Sequence, residues 1–155
     1  AELFRLMAKI ETPQVLYKGA GQAMISVISG ELAIVYASPI AFVGHIKNGR
    51  LRGLGVTTLK RSRALPDVPA IAETLPGYEA TQWFGIVAPA GTPRPIIERL
   101  NKELVRALRG PDIQPRLVAD GLDVIAGTPE ELLTYLKANI EKWANVVKAA
   151  GITPE

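Results

Sequence analysis

Ten residues, Val15-Leu16-Tyr17-Lys18-Gly19-Ala20-Gly21-Gln22-Ala23-Met24, constrain this chain more than any others. Residues 14–17 read as a short strand, which Gly19 and Gly21 interrupt. From Gln22 onward the apolar residues Met24, Ile25, Val27 and Ile28 fall at helical spacing. A strand that runs through glycines into a helix leaves backbone N–H groups free at the positive end of the helix dipole. Such a turn attracts an anion, and the small residues Gly19, Ala20 and Gly21 let a carboxylate or phosphate approach the backbone. The same glycines equally make a tight strand-to-helix turn with no ligand.

The rest of the chain repeats this alternation. Residues 1–10 predict a helix with Leu3, Leu6, Met7 and Ile10 on one side, ended by Thr12-Pro13. Leu32 to Ala37 is continuously apolar, as a strand covered on both faces requires. Ser38-Pro39 then predicts a helix start, Ser at the N-cap and Pro in the first turn, running to about Asn48. A third strand, broken by Gly53 and Gly55, is expected over 51–58. The order β-α-β-α-β with short turns predicts right-handed crossovers in a parallel sheet.

Beyond this the pattern changes. Residues 60–77 carry Pro66, Pro69 and Pro76 around a short helical piece at 68–74, which reads as a linker or an elaborated loop. A long strand is expected over 78–89. A helix should follow Thr92-Pro93, with Ile96, Ile97, Leu100, Leu104 and Leu108 on its apolar face and Gly110-Pro111 ending it. A shorter helix over 112–119 and a strand over 122–125 precede Thr128-Pro129-Glu130-Glu131, a capping box with Pro at the first helical position. It launches a helix to about Ala150 with Leu132, Leu136, Ile140, Trp143 and Val147 as its stripe.

Several function classes are disfavoured. The net charge is only +3, and the one basic cluster, Lys60-Arg61-Ser62-Arg63, is short and lacks interleaved aromatics, so it reads as a solvated loop and no nucleic-acid partner is expected. With no cysteine and a single histidine, His45, no familiar metal site can be assembled. Ser38 and Ser62 lack a nucleophile-elbow setting. Met24 stands where a dinucleotide fingerprint would have its third glycine, so no cofactor is expected. No apolar run reaches the ~20 residues of a membrane span. Ligand binding fits better. Two strand ends, at Lys18–Gly21 and Ala37–Pro39, lead into helix starts, where open parallel sheets hold their ligands.

Specific segments also resemble one family. They are Tyr17-Lys18-Gly19, residues 49–57 (GRLRGLGVT), Leu65-Pro66-Asp67-Val68-Pro69, Pro76-Gly77-Tyr78-Glu79, Trp83-Phe84-Gly85, residues 88–93 (APAGTP) and Ala149-Ala150-Gly151-Ile152. In this order they resemble the Bug-type receptors of tripartite tricarboxylate transporters. The resemblance implies a type II periplasmic-binding-protein-like α/β fold. That fold has two lobes, built of mostly parallel sheets with helices on both faces, which close on a small carboxylate and present it to membrane permease subunits. It implies a periplasmic receptor rather than an enzyme.

Family members are about twice as long, so the resemblance implies a C-terminal half with the N-terminal portion missing, in keeping with a start at Ala1-Glu2-Leu3-Phe4 that reads as processed or truncated. Residues 1–77 then correspond to part of the second lobe with its linker. Residues 78–155 correspond to the crossover strand and the C-terminal portion of the first lobe. The family's second-lobe ligand contacts fall on Gly19, Ala20 and Gly21, with Ser38 and Pro39 beside them. Two positions depart from the family pattern: Leu16 replaces its usual Pro, and Ala33 stands where it often has Asp. Apolar surface meant for absent strands is open to self-association between copies. Two other classes share this outline, namely a ligand-sensing effector domain of a transcription regulator and a small α/β enzyme. An upstream helix-turn-helix would mark the first, and the second needs a general base that the sequence does not nominate.

Overall fold

The computed structural model describes residues 1–152. Six α-helices occur among them: α1 (Glu2–Ala8), α2 (Ala20–Ile28), α3 (Val43–Lys47), α4 (Arg94–Leu108), α5 (Gln114–Ala119) and α6 (Pro129–Ala150). Two 3-10 turns, Pro39–Ala41 and Ile71–Glu73, complete the regular structure. The chain divides into two compact units: Ala1–Gln82 with Ala119–Leu122, and Trp83–Val118 with Asp123–Glu155.

The helices follow their local signals. In α6 the Thr128 Oγ1 accepts from the Glu131 N–H at 3.1 Å, and the Thr128 N–H donates to Glu131 Oε2 at 2.7 Å. The expected capping box therefore closes, and Gly151 ends the helix at a φ of 66°. The helix expected from Ser38 to Asn48 is instead split. Pro39–Ala41 forms a 3-10 turn, and α3 begins only after Phe42.

The expected sheets are the main correction. Among the described residues no strand forms at 14–17, 32–37, 51–58, 78–89 or 122–125. One isolated parallel bridge, Val56 to Ala70, is the single ladder-type pairing among them. The physical reason lies in what defines a strand: its N–H and C=O groups must find a second extended segment alongside. Of these runs only 51–58 gains a ladder pairing, and only at Val56; much of the other runs lies open, with Leu16 92%, Val87 79% and Ile125 78% exposed.

The Val56 bridge organises the core of the first unit. The Val56 N–H donates to Pro69 O at 2.9 Å, and the Ile71 N–H donates to Val56 O at 3.0 Å. Gly53 and Gly55 make the approach possible rather than merely interrupting a strand. A Cβ at Gly53 would meet Val68 Cγ2 at 2.7 Å, and one at Gly55 would meet Ile71 Cγ1 at 2.8 Å. Val43, Ala64, Leu65 and Val68 form the buried cluster, with Ile46 and Val56 packed against it. The proline-rich stretch 60–77 is thus a packed loop that supplies much of this core. Its ends are clamped by Arg61, whose Nε and Nη2 each donate to Glu73 at 2.8 Å, while Glu73 Oε1 also accepts the Ala70 N–H at 2.9 Å.

In the second unit, Trp83 meets Tyr135 edge-on at 5.9 Å, and Asn101 Nδ2 donates to Gly127 O at 2.9 Å. The apolar stripes of α4 and α6 are only partly covered. Ile96 and Leu100 on α4, and Ile140 and Val147 on α6, are exposed.

Two expectations follow. Tyr78 is fully buried at 0% exposure, lies edge-on to Phe4 at 5.8 Å, and its hydroxyl has no hydrogen-bond partner. Desolvation, and then the nearby Tyr36, hold its phenol above the ordinary value. Tyr78→Phe should stabilise the protein by about 1 kcal/mol, read as a higher unfolding midpoint, because a buried donor without a partner is removed. The hydrogen bonds from Arg61, and then from the Ala70 N–H, pull the Glu73 carboxyl from 4.5 down to about 2. The unfolded chain binds that proton more readily, so the clamp contributes above pH 4.5 and is lost as the pH falls toward about 2. Urea titrations across that window should show a shallower pH dependence in Glu73→Gln than in the wild type.

Candidate functional site

Gly19 is the N-cap of α2, with extended backbone (φ −179°, ψ 160°) and no side-chain cap. Ala20, Gly21 and Gln22 form the first turn, whose N–H groups have no partner within a helix by geometry. Among the described residues no side chain or carbonyl accepts from them. The first turn holds no acidic residue, so nothing on the helix neutralises its positive end. Gly19, Ala20 and Gly21 are exposed, and a Cβ at either glycine would meet nothing within 4 Å. This turn can accept an oxyanion on backbone N–H groups without competition from the protein's own side chains.

What holds the turn in place escaped the sequence reading. The Tyr17 hydroxyl donates to Ser26 Oγ at 3.0 Å, tying the segment before the glycines to the second turn of the helix they start. Ser26 is buried, and so is Ala23 one turn earlier. The spacing Tyr17 to Ser26, a polar residue inside an otherwise apolar helix face, was the available signal.

The second pair behaves differently. Ser38 precedes the 3-10 turn at Pro39–Ala41 with extended backbone, but its side chain caps nothing. Pro39 faces residue 121: a Cβ on Gly121 would meet Pro39 Cβ at 2.8 Å, and Gly121 has a φ of +85° that favours glycine. Ser38 and Pro39 thus share a unit with Gly19, Ala20 and Gly21 and lie half-buried, while the α2 turn is open. His45 sits in the last turn of α3, where its carbonyl accepts from the Arg50 N–H at 2.9 Å.

A family model described as tripartite tricarboxylate transporter family receptor matches residues 1–152. The chain belongs to that receptor family. Among curated relatives, a Pseudomonas protein (strain P51) described as a UPF0065 protein in the tcbD-tcbE intergenic region is 37% identical over 147 residues, covering 94% of this chain and 44% of the relative. A solved R. palustris protein with adipate aligns at a TM-score of 0.88 and 34% identity, covering 99% of this chain and 52% of that one. MatC from Rhodopseudomonas palustris, solved with bound malate, aligns at 0.74 and 29% identity, covering 94% and 51%. The receptor-family chain described here spans about half the length of these relatives. Its backbone follows that of periplasmic binding proteins over nearly all of its residues. No helix among the described residues is long and apolar enough to cross a membrane.

The Tyr17 tether gives a check on how this receptor-family turn is held. Tyr17→Phe leaves the Ser26 hydroxyl buried without its partner, and should cost about 1–2 kcal/mol of stability in chemical denaturation.

Proposed function

We propose that this chain is part of a periplasmic receptor that binds a small carboxylate, a di- or tricarboxylate or an amino-acid-like acid, for the permease subunits of a tripartite tricarboxylate transporter. The observation that carries this reading is the open first turn of α2. Gly19, Ala20 and Gly21 present backbone N–H groups at a helix N-terminus that no side chain caps. Family membership supports it, and so do two structural neighbours solved with adipate and malate, both small dicarboxylates. In this reading Ser38 and Pro39 border the ligand from the neighbouring turn. Residues 1–77 belong to the second lobe, and residues 78–155 contribute the crossover and the C-terminal part of the first. The role is capture and delivery rather than catalysis.

Calorimetric titration of the purified protein with adipate, malate and citrate tests this, alongside native mass spectrometry for a co-purified small acid. Binding of at least one acid is expected. Gly21→Leu should weaken it by at least about tenfold, because a side chain there blocks the backbone donors that a carboxylate would use. Gly21 has open space around it, so this variant should fold normally and report on binding alone. Unchanged affinity in Gly21→Leu would remove the α2 turn from the site. Absence of binding to every acid would overturn the receptor reading for this chain.

A further inference from the structure

Residues 32–66 contain six Lys and Arg and no Asp or Glu, although the whole chain carries only +3. The remainder is therefore net acidic, and the positive excess lies in this one segment of the first unit. The Arg61–Glu73 clamp and the nearby Asp67 account for Arg61. Arg50 and Arg52 are exposed and form no ion pair or side-chain hydrogen bond among the described residues.

These two arginines border one open groove of about 600 Å³. Ile46, Leu51, Val68 and the Cβ-less Gly53 line it as well, together with Asp67. Gly53 lets Val68 and Ile46 approach the backbone here, since a Cβ there would meet Val68 at 2.7 Å and Ile46 Cδ1 at 3.6 Å. Val68 belongs to the buried cluster with Val43, Ala64 and Leu65, and Ile46 packs against it, so the groove borders the core of its unit. A site this open cannot enclose a small molecule, most of whose surface must be buried for tight binding. It suits a chain laid across it. Two guanidinium forks match carboxylates in geometry, and the apolar lining residues Ile46, Leu51 and Val68 match aliphatic side chains.

We propose that the Arg50–Arg52 groove is a docking surface for an acidic polypeptide segment of a partner protein, one that alternates carboxylate and aliphatic side chains. The charge complementarity names the occupant. Asp67 in the lining opposes a uniformly dense polyanion such as a phosphate-rich surface, and repels the carboxylates of the segment less strongly than the two arginines attract them. The inference stands apart from the carboxylate site on α2.

Fluorescence anisotropy of a labelled short peptide of alternating Glu and Leu, added to the purified protein, tests it. The peptide should bind at low salt and weaken as salt is raised. Arg50→Glu/Arg52→Glu should weaken it about tenfold or more, as two exposed charge pairs are reversed. Lys137→Glu, the same kind of charge change on α6, should leave binding unaltered. Asp67→Asn should tighten it, an effect that misfolding could not produce. Equal binding by wild type and the double variant would overturn the proposal. So would pyrophosphate, or vesicles containing phosphatidylglycerol, binding this groove in preference to the peptide.

Discussion

Two backbone hydrogen bonds on either side of Val56 hold the first unit together. They join Val56 to Pro69 and to Ile71, and so bring a proline-rich loop alongside a glycine-rich segment. That contact requires the absence of two Cβ atoms, at Gly53 and Gly55, because Val68 and Ile71 occupy the space those atoms would fill. Once the approach is made, Leu65 and Val68 reach Val43 and the cluster closes. The Arg61–Glu73 pair is exposed at both partners, so its contribution is geometric more than energetic. It fixes the ends of a loop whose interior is held by apolar burial.

The ends of α2 and α6 show how one physical feature serves two purposes. Both helices begin with free backbone donors, as every helix must. In α6 the protein answers this need itself, through Thr128 and Glu131. In α2 the N-cap is Gly19, which has no side chain to offer, and no acid follows in the first turn. A family of receptors whose relatives are solved with adipate and malate is a setting in which a turn left open in this way has a use. In the proposed receptor reading the Tyr17–Ser26 hydrogen bond has a use, because backbone donors recognise a ligand only if the turn carrying them is held still.

Sequence reading succeeded where the determining partners lie within a few residues of one another. The capping box at Thr128, the start of α4 after Pro93, and the glycine turn into α2 are all of this kind. It overreached for segments such as Leu32 to Ala37 and Tyr78 to Pro89. A continuously apolar run shows that both faces of a segment avoid water, but says nothing of which segment lies beside it. The reading of 60–77 as a linker or an elaborated loop did not place it in the core, since prolines exclude regular structure whether or not Leu65 and Val68 find a core. Likewise the periodicity of α4 and α6 located their apolar stripes, but not how much of each stripe would be covered.

The sequence by itself therefore determined most of the helices, the capping box of α6, the open glycine turn at Gly19–Gly21 and membership of the receptor family, because each rests on short-range chemistry or on matched motifs. Tertiary structure alone decided four other things. No apolar run became a strand among the described residues, the proline-rich loop became core, Pro39 came to lie against Gly121, and Arg50 and Arg52 came to border one groove. The physical reason is common to all four. Each depends on a partner distant in the chain, and a residue's own preferences cannot specify what the fold will place next to it.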